Sequence, residues 1–119
     1  MVSAIFSTVH EVGHAYYEHD VDPKYDGMIL SEGISSGMHE SQSRLCENYL
    51  ARTEAFWRYH YPKLKAQFPK QLGDVSLADF LKAVNASKPS FIRTEADELT
   101  YPLHVLIRYE IEKGLFNGS

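Results

Sequence analysis

Two imidazoles four residues apart, with a carboxylate beside the first, stand at His10-Glu11-Val12-Gly13-His14. On a helix, residues four apart share a face with Cβ atoms about 6 Å apart, so His10 and His14 can hold one metal ion. Glu11 then sits where its carboxylate can take a proton from a water on that metal rather than bind the metal itself. The chemistry of such a site is hydrolysis. An open zinc site takes three protein ligands and keeps a fourth position for water, so one more ligand must come from another segment. The candidates are Glu18, Glu32, His39, Glu40 and Glu47. Glu18 lies one turn on along the same helix and cannot close a tetrahedron beneath the histidines. Glu32 precedes a glycine in a loop, where an acid is usually just solvated. Glu40 opens a second helix after a connection long enough to fold back antiparallel, and it is the favoured ligand. Without the histidine pair, His39 and Glu40 would read as a solvated first turn whose acid complements the helix dipole.

The elements that must position these residues are helices. Val2, Ile5, Phe6, Val9, Val12 and Tyr16 form an apolar stripe at three- and four-residue spacing, which predicts a helix over 2–18. Gly13 costs about 1 kcal/mol against alanine inside a helix, and close approach of another element at that turn is the expected reason. Acids and a proline at Asp20-Val21-Asp22-Pro23 end this helix. Residues 19–35 read as a loop, with Met28-Ile29-Leu30 as its one candidate strand. A long helix is expected from Ser36 to about Tyr61, with apolar rows Leu45/Tyr49/Phe56 and Cys46/Leu50/Trp57, and Pro62 ends or bends it. Ser76 with Asp79 signals a short helix to about Val84. Thr94 with Asp97 repeats that signature and opens a last helix to about Lys113, with Gly114 as its stop and Pro102 as a kink or restart. Leu99, Leu103, Leu106, Ile107 and Ile111 form its apolar side. Tyr101, His104 and Arg108 share another face.

Composition bounds the class. The 119 residues carry 44% hydrophobic and 24% charged side chains, ordinary for one soluble globular domain. Net charge is −4 with the signs interspersed, so nucleic acid and anionic membrane are not expected partners. The single Cys46 excludes an internal disulfide and fits a reducing, cytoplasmic setting. Neither a signal peptide nor a membrane span is expected from the hydropathy.

Three ordered motifs carry a family resemblance. His10-Glu11-Val12-Gly13-His14, His39-Glu40-Ser41-Gln42-Ser43-Arg44-Leu45 with Glu47-Asn48, and Ile92-Arg93-Thr94-Glu95-Ala96-Asp97-Glu98 resemble successive signatures of the M32 metallocarboxypeptidases. The resemblance spans nearly the whole chain. It implies a mainly α, gluzincin-like peptidase with antiparallel helices at the metal, removing residues one at a time from peptide C-termini with broad preference. By position it implies His10, His14 and Glu40 as metal ligands and Glu11 as general base on a metal-bound water, in agreement with the choice of Glu40 above. The implied cofactor is one divalent ion, zinc before cobalt or manganese. Cys46 stands where the family usually has tryptophan. Family members are several times longer, so 1–119 is expected to be one catalytic-centre domain of a larger fold, active as a peptidase or a metal-binding remnant without turnover.

The remaining polar residues have two readings each. Tyr101 and His104 could stabilise an oxyanion as catalytic groups, and Arg108 could hold a substrate's terminal carboxylate; the alternative is a solvated face. Arg93 is a further carboxylate clamp, whereas Arg44, between Glu40 and Glu47, reads as their salt-bridge partner. Asp97 or Glu98 could orient a ligand histidine, but helix capping is the simpler role. His19 and His60 read as surface residues. The two apolar rows of the long helix predict a homo-oligomer.

Overall fold

A computed structural model of the chain describes residues 2–118, and every α-helix, 3₁₀ turn and π-helical segment in it is accounted for without a strand among those residues. The contacts divide into two compact units, 1–84 and 85–119.

The first unit opens with α1, Val2–His19, as the apolar stripe predicts. Its Phe6 enters an aromatic core with Trp57, Tyr61 and Leu64 of α3 (Glu54–Gln67), Leu72 of the short α4 (Pro69–Leu72) and Phe80 of α5 (Leu77–Val84). Trp57 sits at the centre, 1% exposed, edge-on to Phe6 at 6.2 Å and to Phe80 at 4.6 Å between ring centroids. Edge-to-face pairs of this kind add about 0.5–1.5 kcal/mol each beyond simple burial. About two turns past Phe6, Gly13 is buried against α2, Ser36–Arg44. A Cβ at Gly13 would lie 2.6 Å from Ser43 Cα and 2.9 Å from the Gln42 carbonyl oxygen, so the glycine is what lets the two backbones meet. The close approach expected from the sequence is there.

The long second helix is not continuous. α2 passes into a π-helical segment, Leu45–Leu50, closed by Ala51 N–H donating to Cys46 C=O at 3.0 Å. The chain then breaks, and Thr53 caps a new helix by accepting from Phe56 N–H at 3.2 Å. The expected rows are split accordingly: Trp57 is core, whereas Leu45, Tyr49 and Leu50 are exposed. Pro62 does not end α3, which runs on to Gln67. Pro62 and Arg58, whose carbonyl loses its donor, both face solvent, while Trp57, Tyr61 and Leu64 anchor the helix on either side of the proline. Core packing here outweighs the about 3 kcal/mol that an internal proline costs. Met28-Ile29-Leu30 is not a strand; Ile29–Ser31 makes a 3₁₀ turn after a similar turn at Pro23–Tyr25. The Ser76–Asp79 cap forms as expected, with Asp79 N–H donating to Ser76 Oγ at 3.1 Å and Ser76 Oγ–H to Asp79 Oδ2 at 2.7 Å.

In the second unit the last helix, α6, spans Tyr101–Asn117, with Pro102 in its first turn. It does not start at Thr94. Arg93–Glu95 is a 3₁₀ turn, and Asp97 instead ties a loop together, accepting from Lys88 N–H, Thr100 N–H, Leu99 N–H and Ser87 Oγ–H at 2.9–3.0 Å. The bond from the Lys88 amide, foremost among these, holds the Asp97 carboxyl well below the ordinary range. Gly114 does not stop α6 either. The helix ends at Gly118, which takes the left-handed conformation (φ 71°) and donates its N–H to Gly114 C=O.

Candidate metal centre

The contacts between α1 and the helix that follows run in opposite order along the two segments. His10 meets Glu47, Gly13 meets Ser43, His14 meets Glu40, and Glu18 meets His39. That order makes the pair antiparallel and brings Glu40 back over the histidines.

The donor geometry follows from this register. His10 Nε2 and His14 Nε2 are 3.1 Å apart, and Glu40 Oε2 lies 3.6 Å from the first and 3.4 Å from the second. Zinc bonds of about 2.0–2.1 Å in a tetrahedron put ligand atoms about 3.3 Å apart, so this triangle has the size of one face of such a site. Among the described residues it is the group of three side chains that could hold a metal. Each donor is oriented through its other polar atom. His10 Nδ1 faces Glu47 Oε2 at 2.9 Å, and His14 Nδ1 faces His39 Nδ1. Glu40 Oε1 accepts from Arg44 Nε–H at 3.2 Å, leaving Oε2 toward the histidines. Arg44 also donates from Nη1 to Glu47 Oε2 at 2.8 Å, so the salt-bridge role expected of it is met on both sides. Ser43, fully buried, donates to Glu40 C=O at 2.7 Å and holds that turn against Gly13.

Glu11, on the turn of His10, is exposed. Beside the triangle lies a hollow of about 710 Å³ lined by His14, Glu18, Glu32, Gly33, His39 and Glu40 together with the serines at 31, 35 and 36. Glu18 and Glu32, weighed as ligands, thus border the site. Glu47, also weighed as a ligand, is the residue that orients His10. Its signal was available: it lies seven residues, or about two turns, past Glu40 and therefore on the same face. Asp97 neither orients a ligand histidine nor caps a helix at Thr94; it ties the 87–100 loop of the second unit together.

The other candidate residues belong to the second unit. Arg93 Nη1 donates to Tyr101 Oη at 2.6 Å, with its guanidinium 5.5 Å from that ring's centroid. Arg108 Nε donates to Glu112 Oε1 at 3.3 Å. Arg93, His104 and Arg108 line one hollow of about 360 Å³ with Ile107, Ile111 and Glu112. The structure therefore gathers the expected residues into two groups, one in each unit.

An all-helical chain bearing a helical histidine pair closed by a glutamate on an antiparallel partner has the make-up of a metallopeptidase centre. The comparisons agree. The chain belongs to the family described as Carboxypeptidase Taq (M32) metallopeptidase, which it matches over residues 1–119. It is 56% identical to Carboxypeptidase 1 of Bacillus subtilis (strain 168) over 117 residues, 98% of this chain and 23% of that protein. It superimposes on the M32 carboxypeptidase from Deinococcus radiodurans R1 with a TM-score of 0.91 at 48% identity, covering 97% of this chain and 23% of that one. A further match, to the crystal structure of BsuCP, has a TM-score of 0.92 at 56% identity, with the same coverage of 97% and 23%. The chain thus spans about a quarter of the length of these relatives. Membership of a metallopeptidase family implies a divalent metal, and the His10, His14 and Glu40 donors fit one.

Proposed function

We propose that His10, His14 and Glu40 hold one divalent ion, zinc ahead of cobalt or manganese, in a protein that removes residues from peptide C-termini with broad side-chain preference. The donor triangle of 3.1, 3.4 and 3.6 Å carries this reading, and family membership supports it. When bound, the ion acidifies a water molecule and polarises the scissile carbonyl. Glu11, exposed beside His10, would act as general base, taking one proton from a water held at the three donors. As the C–N bond breaks, Glu11 returns the proton to the leaving amine. Arg93 and Arg108 are assigned to a substrate carboxylate, because both border a hollow whose other walls include Ile107 and Ile111. Tyr101 and His104 are assigned to the developing oxyanion. The unpaired Cys46 fits a cytoplasmic location. No helix among the described residues is long and apolar enough to cross a membrane.

A second reading, metal binding without turnover in the 119 residues alone, is favoured by exposure around the donors. Glu40 is 44% exposed in its side chain, and a charge-stabilising site in contact with bulk water loses most of its strength. The test is to measure zinc per chain in the parent, Glu40→Ala and His14→Ala, and to assay the parent on one peptide with a free and with an amidated C-terminus. The reading expects about one zinc in the parent and loss in both variants. Turnover, where seen, is confined to the free carboxylate. Unchanged stoichiometry in either variant overturns the ligand assignment.

A further inference from the structure

His39 precedes Glu40 on α2, is part-buried at the edge of the hollow, and meets a partner at each ring nitrogen. Its Nδ1 faces His14 Nδ1, and its Nε2 lies 2.8 Å from Glu18 Oε1. Tyr17 packs edge-on at 5.2 Å between centroids. Gly33 lies over the imidazole so closely that a Cβ there would come within 3.1 Å of His39 Cδ2 and 3.2 Å of Tyr17 Cε1. A ring met at both nitrogens and packed close at its Cδ2 atom has one orientation.

The proton positions follow from what each atom can do. His14 turns Nε2 toward His10 and Glu40, so that nitrogen is the donor to a metal and must be bare. In a neutral imidazole the proton then sits on Nδ1. That N–H needs an acceptor, and the atom in front of it is His39 Nδ1. His39 can accept there only if its own proton is on Nε2, where the Glu18 carboxylate receives it. Each link fixes the next in one direction only.

We propose that His39 is a positioning residue of the metal centre, and that the chain Glu18–His39–His14 fixes which nitrogen His14 offers to the ion. The inference rests on the metal reading above. It gives Glu18 a place in the site as the terminal acceptor, and gives Gly33 the task of leaving room for the imidazole. It also accounts for the two histidine ligands being oriented differently, His10 directly by a carboxylate and His14 through a second imidazole.

The test uses the 119-residue chain loaded with zinc. Long-range ¹H–¹⁵N spectra of the histidines at a pH of about 8, above the ordinary histidine range, should place the His14 proton on Nδ1 and the His39 proton on Nε2. Zinc affinity, measured against a chromophoric chelator, should fall about 10–100-fold in His39→Leu. His39→Asn, whose amide oxygen can stand near the former Nδ1, should recover most of it, and Glu18→Gln should fall between. Metal-free helicity and melting of the leucine and asparagine variants should match each other, which separates positioning from folding. A proton on His39 Nδ1, or leucine and asparagine variants with equal zinc affinity, overturns the inference. If zinc needs His14 but not His39, the inference fails alone; if zinc is indifferent to His14→Ala, the metal reading fails and takes the inference with it.

Discussion

Glu47 holds His10 Nδ1 at 2.9 Å while accepting from Arg44, which also donates to Glu40, so its carboxylate orients one ligand and is tied to the arginine that orients another. Glu47→Gln keeps the shape and can still accept a hydrogen bond but removes the charge that makes the imidazole a better donor. Zinc affinity in that variant should fall about 10–100-fold, read by chelator competition, with the fold intact by circular dichroism. Equal affinity would show that Glu47 serves Arg44 alone. Glu11→Gln should behave oppositely: zinc content unchanged, and any hydrolysis lowered about 10²–10⁴-fold. Loss of zinc in Glu11→Gln would make it a ligand rather than a base. At this scale the sequence was largely legible. The spacing of His10 and His14 and the return of Glu40 are set by helix geometry, which a one-dimensional pattern carries. The partners of the outer atoms were only partly legible: the seven-residue spacing puts Glu47 on the face of Glu40, but Glu47, His39 and Glu18 were weighed as ligands alone. Which of them faces which nitrogen depends on the register between two helices.

That register is set at Gly13. The contact there is backbone to backbone, against Ser43 Cα and the Gln42 carbonyl, and no side-chain rotation can relieve it. Gly13→Ala should therefore push α1 and α2 apart despite alanine's better helix propensity, at a cost of about 1–3 kcal/mol for overpacking. Because Glu40 lies one turn before Ser43, the same shift should weaken zinc binding. Thermal melting and zinc titration of the variant check this, and a stabilised chain with parental affinity would count against it. A different element is governed by Asp97. Its carboxyl is depressed chiefly by the Lys88 amide, so the stability it lends is present above the ordinary aspartate pKa and is lost as pH falls through the folded value. Amide exchange in residues 87–100 should accelerate below a pH of about 4, and Asp97→Asn should show little of that dependence. Helix starts with a serine cap were legible, as at Ser76. The break at Ala51–Thr53 and the π-helical segment before it were not, since apolar spacing continues across both. Pro62 misled for a related reason: propensity argues locally, and Trp57, Tyr61 and Leu64 hold α3 together from the core.

For the whole molecule, the distribution of apolar surface is uneven. The first unit has a buried core around Trp57, whereas α6 buries none of its residues: Ile107 and Ile111 are each 59% exposed, Leu115 is 75% and Phe116 is 90%. Leu45, Tyr49 and Leu50 add an exposed group in the first unit. Soluble monomers seldom show apolar surface on this scale. We therefore expect the 119-residue chain to self-associate, as the apolar rows read from the sequence also suggested, though the residues responsible differ because Trp57 is core. Full burial of a large apolar side chain yields about 1.5–3 kcal/mol, so several of these together match the about 4–15 kcal/mol that association costs in lost freedom. Sedimentation velocity at micromolar concentration should show species larger than a monomer. The double variant Leu115→Glu, Phe116→Glu should shift the population toward monomer, because charge at the most exposed end of α6 is costly to bury. Neither residue is among the proposed metal, catalytic or carboxylate-binding groups, so zinc per chain should be unchanged in that variant. A parent chain that sediments as a clean monomer would show that α6 tolerates water as it stands, and an unchanged oligomer in the double variant would move the contact to the Leu45, Tyr49 and Leu50 surface instead.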